Sequence, residues 1–234
     1  AGQKETFIGQ PQKCHPKGGI YLRMASQLAA GQTAGYRDAP CSGRLTPVQR
    51  LACAVARLAG WRFEIPVLPD RCVIIGAHHT SGMDFFVGML ALLASGMEIR
   101  WAAKDTLFFW PAGAILRSLG GLPVNRRVRT NWVARMVETF EASRTFRLAI
   151  LPEGTRRYTD HWKTGFYHIA RLANVPIIFA FADYERRVVG WGPSLMPTGN
   201  IEADFEVIRD FYAGIHPRFP ECAGEVTVRT VGQG

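Results

Sequence analysis

The sequence predicts an α/β fold: a single domain with a central, mostly parallel, twisted sheet flanked by helices. From residue 71 onward, short apolar runs rich in β-branched residues alternate with longer segments of helical period. Strands and helices that alternate in this way form βαβ units, in which the strands run parallel and helices cover both faces of the sheet. The 234 residues, 47% of them hydrophobic, are enough for one substantial core.

Ten elements are predicted from these patterns. The strands are short and apolar, as buried parallel strands are, and the helices carry apolar residues three or four positions apart. The clearest helical stripe contains Val133, Met136, Val137 and Phe140. Strands are predicted over residues 71–77, 99–103, 147–151 and 177–182, with a short edge strand at 188–189. Helices are predicted over residues 82–95, 107–118, 130–146, 165–173 and 201–212.

The composition of the chain changes near residue 45. Residues 1–44 are rich in Gly, Gln, Ala and Lys and show no sustained hydrophobic period. We therefore predict that they form a flexible or loosely packed leader. Residues 45–234 are predicted to form the folded domain.

A short amphipathic helix is predicted at the start of that domain. Thr46 is a favourable N-cap residue, and Leu51, Val55 and Leu58 follow it along one stripe. Two interpretations of this stripe remain open: it inserts into a membrane interface, or it packs on the protein core.

The net charge indicates which binding partners to expect, and the cysteines indicate the redox state of the compartment. A net charge of +9 favours anionic partners such as nucleic acid, a lipid headgroup surface or a phosphorylated ligand. The five cysteines form no CxxC pair and are odd in number, so we expect free thiols in a reducing compartment. No apolar run reaches the roughly 18 residues of a membrane span, so we expect a protein that does not cross a bilayer.

His79 and Asp84 stand in an H-x4-D arrangement within HHTSGMDF, residues 78–85. The preceding strand brings His79 to its carboxyl end, where open α/β sheets bind ligands, and Asp84 lies in the first turn of the next helix. The intervening loop can fold back, so we expect the imidazole to meet the carboxylate. Such a pair is a general base, because the carboxylate selects the tautomer of the histidine and stabilises its protonated form.

Residues 81–84 also allow a structural interpretation. Ser81 and Asp84 match the S-x-x-[DE] capping pattern, in which the carboxylate only caps its helix. His78 has the wrong spacing to Asp84 and is predicted to fill space or hydrogen-bond beside it. Because no G-x-S-x-G nucleophile elbow occurs, direct attack by an acceptor hydroxyl is a simpler hypothesis than a covalent enzyme intermediate.

A set of motifs suited to anions follows. Gly121 and Pro123 are predicted to shape a turn that presents Arg126, whose guanidinium can donate two parallel hydrogen bonds to a phosphate. Gly154 permits a sharp turn after the strand at 147–151. Lys163 precedes a helix, and a helix N-terminus is a favourable place for an anion. The motifs are GGLPVNR at 120–126, LPEGTR at 151–156, KTG at 163–165 and VPI at 175–177.

HHTSGMDF, GGLPVNR, LPEGTR and VPI, in this order, resemble the glycerolipid (1-acylglycerol-3-phosphate) acyltransferase family over roughly residues 48–200. The resemblance implies a glycerol-3-phosphate acyltransferase-like fold, with His79 as general base and Asp84 orienting it. The implied reaction moves a fatty acyl group from acyl-CoA or acyl-carrier protein to the hydroxyl of a lysophosphatidic acid-like acceptor, in phospholipid biosynthesis. The residues that it implies for acceptor binding are Arg126, Glu153, Gly154, Thr155, Arg156 and Lys163.

Further expectations concern cofactors, location and alternatives. Beyond the acyl thioester, no cofactor and no metal is expected, and attachment to the cytoplasmic, inner face of a membrane is expected to be peripheral. One alternative is acyl transfer to another lyso-lipid, and a second is a thioester hydrolase that uses the same His79–Asp84 pair. Nucleic-acid binding is not expected, since the basic residues are dispersed and no stacking or zinc signature occurs.

Overall fold

One sheet of seven strands organises residues 45–125 and 131–229, the part of the chain that this computed structural model describes. In chain order the strands are β1 (Arg62–Glu64), β2 (Arg71–Gly76), β3 (Arg100–Lys104), β4 (Gly121–Val124), β5 (Phe146–Ile150), β6 (Ile177–Asp183) and β7 (Val188–Leu195). The helices are α1 (Pro47–Leu58), α2 (Met83–Ser95), α3 (Ala112–Ser118), α4 (Trp132–Ala142), α5 (Gly165–Leu172) and α6 (Ile201–Tyr212). Short 3-10 helices lie at Asp105–Leu107 and Pro220–Cys222.

The strands lie in the order β1-β7-β6-β2-β5-β3-β4. Neighbouring strands of this sheet are parallel except for β6 and β7, which confirms the predicted α/β fold with a mostly parallel sheet. Val73 of β2 pairs with Leu148 of β5 on one side and with Ile177 of β6 on the other. The carboxyl ends of β6, β2 and β5 therefore meet at one edge, where parallel α/β sheets place their ligands.

Helices cover both faces of the sheet, and β2 shows how the sequence directs them. Successive strand side chains point to opposite faces, so Val73 and Ile75 join the core that includes α4, α5 and α6. Cys72 and Ile74 join the core that includes α1 and α2. The first core holds the largest fully buried rings: Trp162, Tyr167, Tyr212, Phe140, Phe166, Phe179 and Phe205. Burying a phenylalanine side chain stabilises a fold by about 1.5–3 kcal/mol, so these rings contribute strongly to holding the helices on this face of the sheet.

The segment at 121–124 was predicted as a turn, and that prediction is wrong. It forms β4, which pairs with β3 at the end of the sheet, with Pro123 opposite Ala103. An edge strand tolerates proline because the missing N–H is not needed by a second neighbour. Gly121 is required by close packing, since a Cβ there would lie 2.7 Å from the carbonyl oxygen of Leu116.

The observed bounds of several other elements differ from the predicted ones for local reasons. The helix predicted over 130–146 ends at Ala142, because the chain turns extended at Ser143 and Phe146 begins β5. The helix predicted over 107–118 is divided into the 3-10 helix at Asp105–Leu107 and α3. The edge strand predicted at 188–189 is the eight-residue β7, and the three-residue β1 beside it was not predicted. The late helix over 201–212 is confirmed.

Helix α1 begins as predicted but packs in an unexpected way. Thr46 caps it, and Gln49 completes a reciprocal capping box with Thr46. The helix buries its small residues Ala52, Cys53 and Ala56, while Leu51 and Leu58 are 66% and 89% exposed. The interpretation in which the leucine stripe packs on the core is therefore wrong. Small residues allow close approach to α2 and leave the large apolar side chains pointing outward.

The cysteine prediction is wrong at one position. Cys53 is disulfide-bonded. Cys72 and Cys222 are free thiols, and burial raises the pKa of Cys72 to about 12. Pairing depends on which Cβ atoms the fold brings together, and cysteine spacing did not reveal this. The cysteines therefore do not indicate a reducing compartment.

Within residues 45–125 and 131–229, no helix is both long enough and apolar enough to cross a bilayer.

Candidate active site

His79 and Asp84 meet at the carboxyl end of β2, one on the loop and the other in the first turn of α2. His79 Nδ1 lies 3.3 Å from Asp84 Oδ2, and the two side chains are 16% and 10% exposed. The loop thus folds back as expected and places the imidazole on the carboxylate. Because Nδ1 faces Asp84, Nε2 is the ring nitrogen left to meet a substrate.

Asp84 also holds the turn that leads into its helix, although no side-chain hydrogen bond caps the helix at its N-cap residue, Gly82. Its Oδ2 atom accepts hydrogen bonds from the backbone N–H groups of Thr80 at 2.9 Å and Ser81 at 2.7 Å. Ser81 Oγ accepts from the N–H of Met83 at 3.1 Å, although the helix itself begins after Gly82. The bonds that start α2 therefore also fix the oxygen that faces His79.

The second oxygen of Asp84 has its own donor. Tyr184 Oη donates to Asp84 Oδ1 at 2.6 Å. Burial alone would raise the pKa of the Asp84 carboxyl, but hydrogen bonds from His79, Tyr184 and Ser81 outweigh burial and hold that pKa below its ordinary value. Burial, together with the bond to Asp84, raises the pKa of Tyr184 well above its ordinary value. Near neutral pH the pair is therefore an ionised carboxylate and a neutral phenol.

Glu153 was predicted to bind the acceptor, but its contacts in the structure are with the histidine loop. The residue is 3% exposed. Its Oε2 atom accepts from the backbone N–H of His79 at 2.8 Å, and its Oε1 atom lies 3.1 Å from His78 Nδ1. One carboxylate oxygen of Glu153 thus holds the backbone of His79, and the other holds the side chain of His78. His78 hydrogen-bonds beside the pair, as one of its predicted roles allowed.

The LPEGTR segment turns sharply after β5. Gly154 has a φ of 65°, the left-handed conformation that favours glycine, and its N–H donates to the Leu151 carbonyl at 3.1 Å. Thr155 Oγ1 accepts from the N–H of Arg157 at 3.2 Å. This turn directs the exposed Arg156 side chain toward α2, where its Nη1 atom lies 3.2 Å from the position that a Cβ on Gly82 would take. The guanidinium therefore lies beside the turn that holds Asp84.

The structure describes the position of Lys163 but not that of Arg126. The N–H of Lys163 donates to the Pro152 carbonyl at 3.0 Å, so Lys163 lies beside the LPEGTR turn, shortly before α5. Arg126 lies outside the described residues, and its place in the site stays a prediction.

The protein-family model described as Acyltransferase matches residues 64–179, about half of the chain, and this stretch contains His79, Asp84 and the LPEGTR segment. This chain belongs to the acyltransferase family. Among solved structures, the 1-acyl-sn-glycerophosphate (LPA) acyltransferase PlsC from Thermotoga maritima has a similar fold, with a TM-score of 0.51 and 18% sequence identity. The match covers 83% of this chain and 92% of that chain. No curated protein matches this acyltransferase.

Tyr184 is the residue of this acyltransferase site that the sequence interpretation missed. A usable signal existed, because Tyr184 lies only two residues after the end of the predicted strand at 177–182. Residues that follow parallel strands gather at one edge of a sheet, and β6 turns out to be the neighbour of β2. The sequence did not reveal that β6 lies next to β2 in the sheet.

The described residues of the acyltransferase contain no group of three or more His, Cys, Asp or Glu side chains able to hold a metal ion. The site described above contains two imidazoles, two carboxylates, a phenol and a nearby guanidinium.

Proposed function

We propose that this acyltransferase moves a fatty acyl group from acyl-CoA or acyl-carrier protein to the hydroxyl of a lysophosphatidic acid-like glycerolipid, in phospholipid biosynthesis. The observation that carries the proposal is the 3.3 Å contact of His79 Nδ1 with Asp84 Oδ2 at the ligand-binding edge of the sheet. It supplies a histidine whose second nitrogen is available to a hydroxyl group. The reaction uses the thioester as co-substrate and needs no cofactor.

The chemistry follows from that geometry. His79 Nε2 removes the hydroxyl proton as the acceptor oxygen attacks the thioester carbonyl carbon, and Asp84 stabilises the imidazolium that forms. The new C–O bond makes the ester, the C–S bond breaks, and the imidazolium returns the proton to the leaving thiolate. Glu153 contributes by holding the His79 backbone through the 2.8 Å hydrogen bond.

Arg156 is the described cation best placed to bind an acceptor phosphate. It is exposed and lies beside Gly82, close to the turn of Asp84. Lys163 lies near the same LPEGTR turn, and the resemblance adds Arg126 to the set. A phosphate bound by Arg156 would hold the acceptor hydroxyl near His79. The site therefore suits an acceptor whose phosphate lies close to its free hydroxyl.

Replacing Arg156 with glutamine is expected to raise the KM for lysophosphatidic acid about ten- to a hundredfold, with a smaller effect on kcat. The matched control is Arg157→Gln, since Arg157 is the adjacent exposed arginine. Steady-state kinetics with lysophosphatidic acid and with monoacylglycerol measure the effect. An equal rise of KM for both acceptors would contradict a role in phosphate binding.

Peripheral attachment to the inner face of the membrane is part of the proposal. The net charge of +9 favours an anionic leaflet. Helix α1 exposes Val48, Leu51, Val55 and Leu58, together with the adjacent Arg50. An exposed apolar stripe with basic neighbours is the pattern of a helix that lies in a membrane interface.

The double substitution Leu51→Ser, Leu58→Ser is expected to weaken binding to anionic vesicles by about tenfold or more, because two exposed leucines would no longer enter the interface. Co-sedimentation with phosphatidylglycerol-containing vesicles measures the binding, which should also weaken as salt rises. Leu172→Ser is the control, since Leu172 is a 63% exposed leucine at the end of α5. Equal loss of binding in the control would count against α1 as the membrane surface.

The proposed reaction is tested by product analysis. The protein is incubated with labelled acyl-CoA or acyl-carrier protein and a panel of acceptors: lysophosphatidic acid, other lysophospholipids and a phosphate-free lyso-lipid. Diacylated phosphatidic acid as the main product supports the proposal. Preference for another lyso-lipid would change the acceptor, and free fatty acid formed without dependence on any acceptor would identify a thioester hydrolase.

A further inference from the structure

Three neighbouring strands bring the residues of this site together, and Tyr184 follows the far end of β6, outside the VPI motif at its start. Tyr184 follows β6, which pairs with β2 in parallel, so the residue reaches the same edge as His79. It lies beyond residues 64–179, to which the family model matches. Its Oη atom donates to Asp84 Oδ1 at 2.6 Å across one hundred positions of sequence.

The position of Tyr184 is fixed from two sides. The ring of Trp61 packs edge-on against its ring, with centroids 5.0 Å apart. Its backbone N–H donates to the His216 carbonyl at 2.8 Å, which ties it to the chain after α6. Contacts on both the ring and the backbone direct the phenol toward Asp84 instead of toward solvent.

We propose that Tyr184 is a positioning residue for the acyl transfer, acting through Asp84 on His79. The inference depends on the proposed function, because it assigns a role within that reaction. The Asp84 carboxylate receives backbone donors on Oδ2 and the tyrosine on Oδ1, so both oxygens are held. With Oδ1 held, the carboxylate does not rotate about Cβ–Cγ, and Oδ2 keeps facing His79 Nδ1 when the imidazole takes the proton.

The charged and titratable groups around this contact are few. His79 faces Asp84 from the preceding loop and Tyr184 faces it from β6. Arg218, from the chain after α6, acts on Tyr184 electrostatically. Removing the phenol oxygen takes away one of the hydrogen bonds that keep the pKa of Asp84 low, so that pKa is expected to rise.

The chain provides a matched comparison for this bond. Tyr167 Oη donates to Asp204 Oδ2 at 2.7 Å, and Asp204 also lies in the first turn of a helix, α6. Thr198 is a further donor to that carboxylate, and the contact belongs to the α6 cap and not to the His79 site. Tyr167→Phe therefore removes the same kind of hydrogen bond, together with the bond from the Gly199 N–H to Tyr167 Oη, without touching the proposed reaction.

The test compares the parent protein, Tyr184→Phe and Tyr167→Phe. In Tyr184→Phe we expect kcat to fall about ten- to a hundredfold with little change in the acceptor KM. The pKa of the Asp84 carboxyl should also rise, because one of the hydrogen bonds that stabilise the carboxylate is lost. Carbon-13 NMR of the Asp84 carboxyl carbon measures that titration without substrate. Tyr167→Phe should keep the parent's kcat and Asp84 titration while lowering the melting temperature.

The possible outcomes separate this inference from the proposed function. A parent protein that transfers no acyl group to any acceptor refutes the function, whatever the NMR titration shows. An active parent with a parent-like Tyr184→Phe, in kcat and in the Asp84 titration, overturns the role of Tyr184 alone. Loss of the fold in Tyr184→Phe, or an equal loss of kcat in Tyr167→Phe, would also overturn it, since the bond would then be structural.

Discussion

His79→Ala is expected to lower kcat for acyl transfer by about a hundred- to ten-thousandfold, since general base catalysis contributes an acceleration of that order. The melting temperature should stay close to the parent's, because the described polar contact of the imidazole is with Asp84 alone. That carboxylate keeps its three other hydrogen bonds in the variant. Labelled product formation and thermal unfolding by circular dichroism measure the two effects.

His168→Ala is the control for this substitution. His168 is an exposed histidine on α5, outside the His79–Asp84 pair. It should retain the parent's turnover and bind acceptor normally. Near-normal turnover in His79→Ala would refute the assignment of the base, and equal losses in both variants would point to a defect in folding.

Glu153→Ala is expected to have the second largest effect, because it affects both stability and turnover. The substitution leaves the buried N–H of His79 without its acceptor, at a cost of about 1–3 kcal/mol, and lets the histidine loop move. We expect a lower melting temperature and a fall in kcat of about ten- to a hundredfold, whereas the acceptor KM should change little.

Glu153→Gln separates positioning from substrate binding. Its side-chain oxygen can still accept from the N–H of His79, and its amide group can still meet His78. If Glu153 holds the loop, this variant keeps most of the parent's kcat and stability. If instead both variants raise the acceptor KM without a change in melting temperature, Glu153 contacts the substrate and the positioning role is wrong.

The local part of the site was predictable because its partners are close in sequence. His79 and Asp84 are five positions apart, so a strand, a loop and a helix start were enough to predict their contact. The sharp turn at Gly154 was equally local, since its left-handed φ is a property of one residue. Helices and strands with a clear hydrophobic period were also predictable, because that period is a local property. Helix α6, for example, matches its predicted bounds.

Other features required knowledge of which strands are neighbours. β5 and β6 follow β2 by many residues, yet they flank it in the sheet. Only that arrangement gives the His79 loop its buried Glu153 and gives Asp84 its donor from Tyr184. Local propensity contains no information on such pairings, because they depend on how whole strands and helices pack.

The sequence by itself therefore determined the α/β class, most helices and strands, and the identity of the His79–Asp84 pair. The tertiary structure decided the rest: the edge strand β4, the outward leucines of α1, the disulfide at Cys53, and the two side chains that hold the pair in place. The physical reason is the range of the interactions. Periodicity and turn chemistry act within a few residues, whereas a hydrogen bond from Tyr184 to Asp84 exists only once the complete sheet has formed.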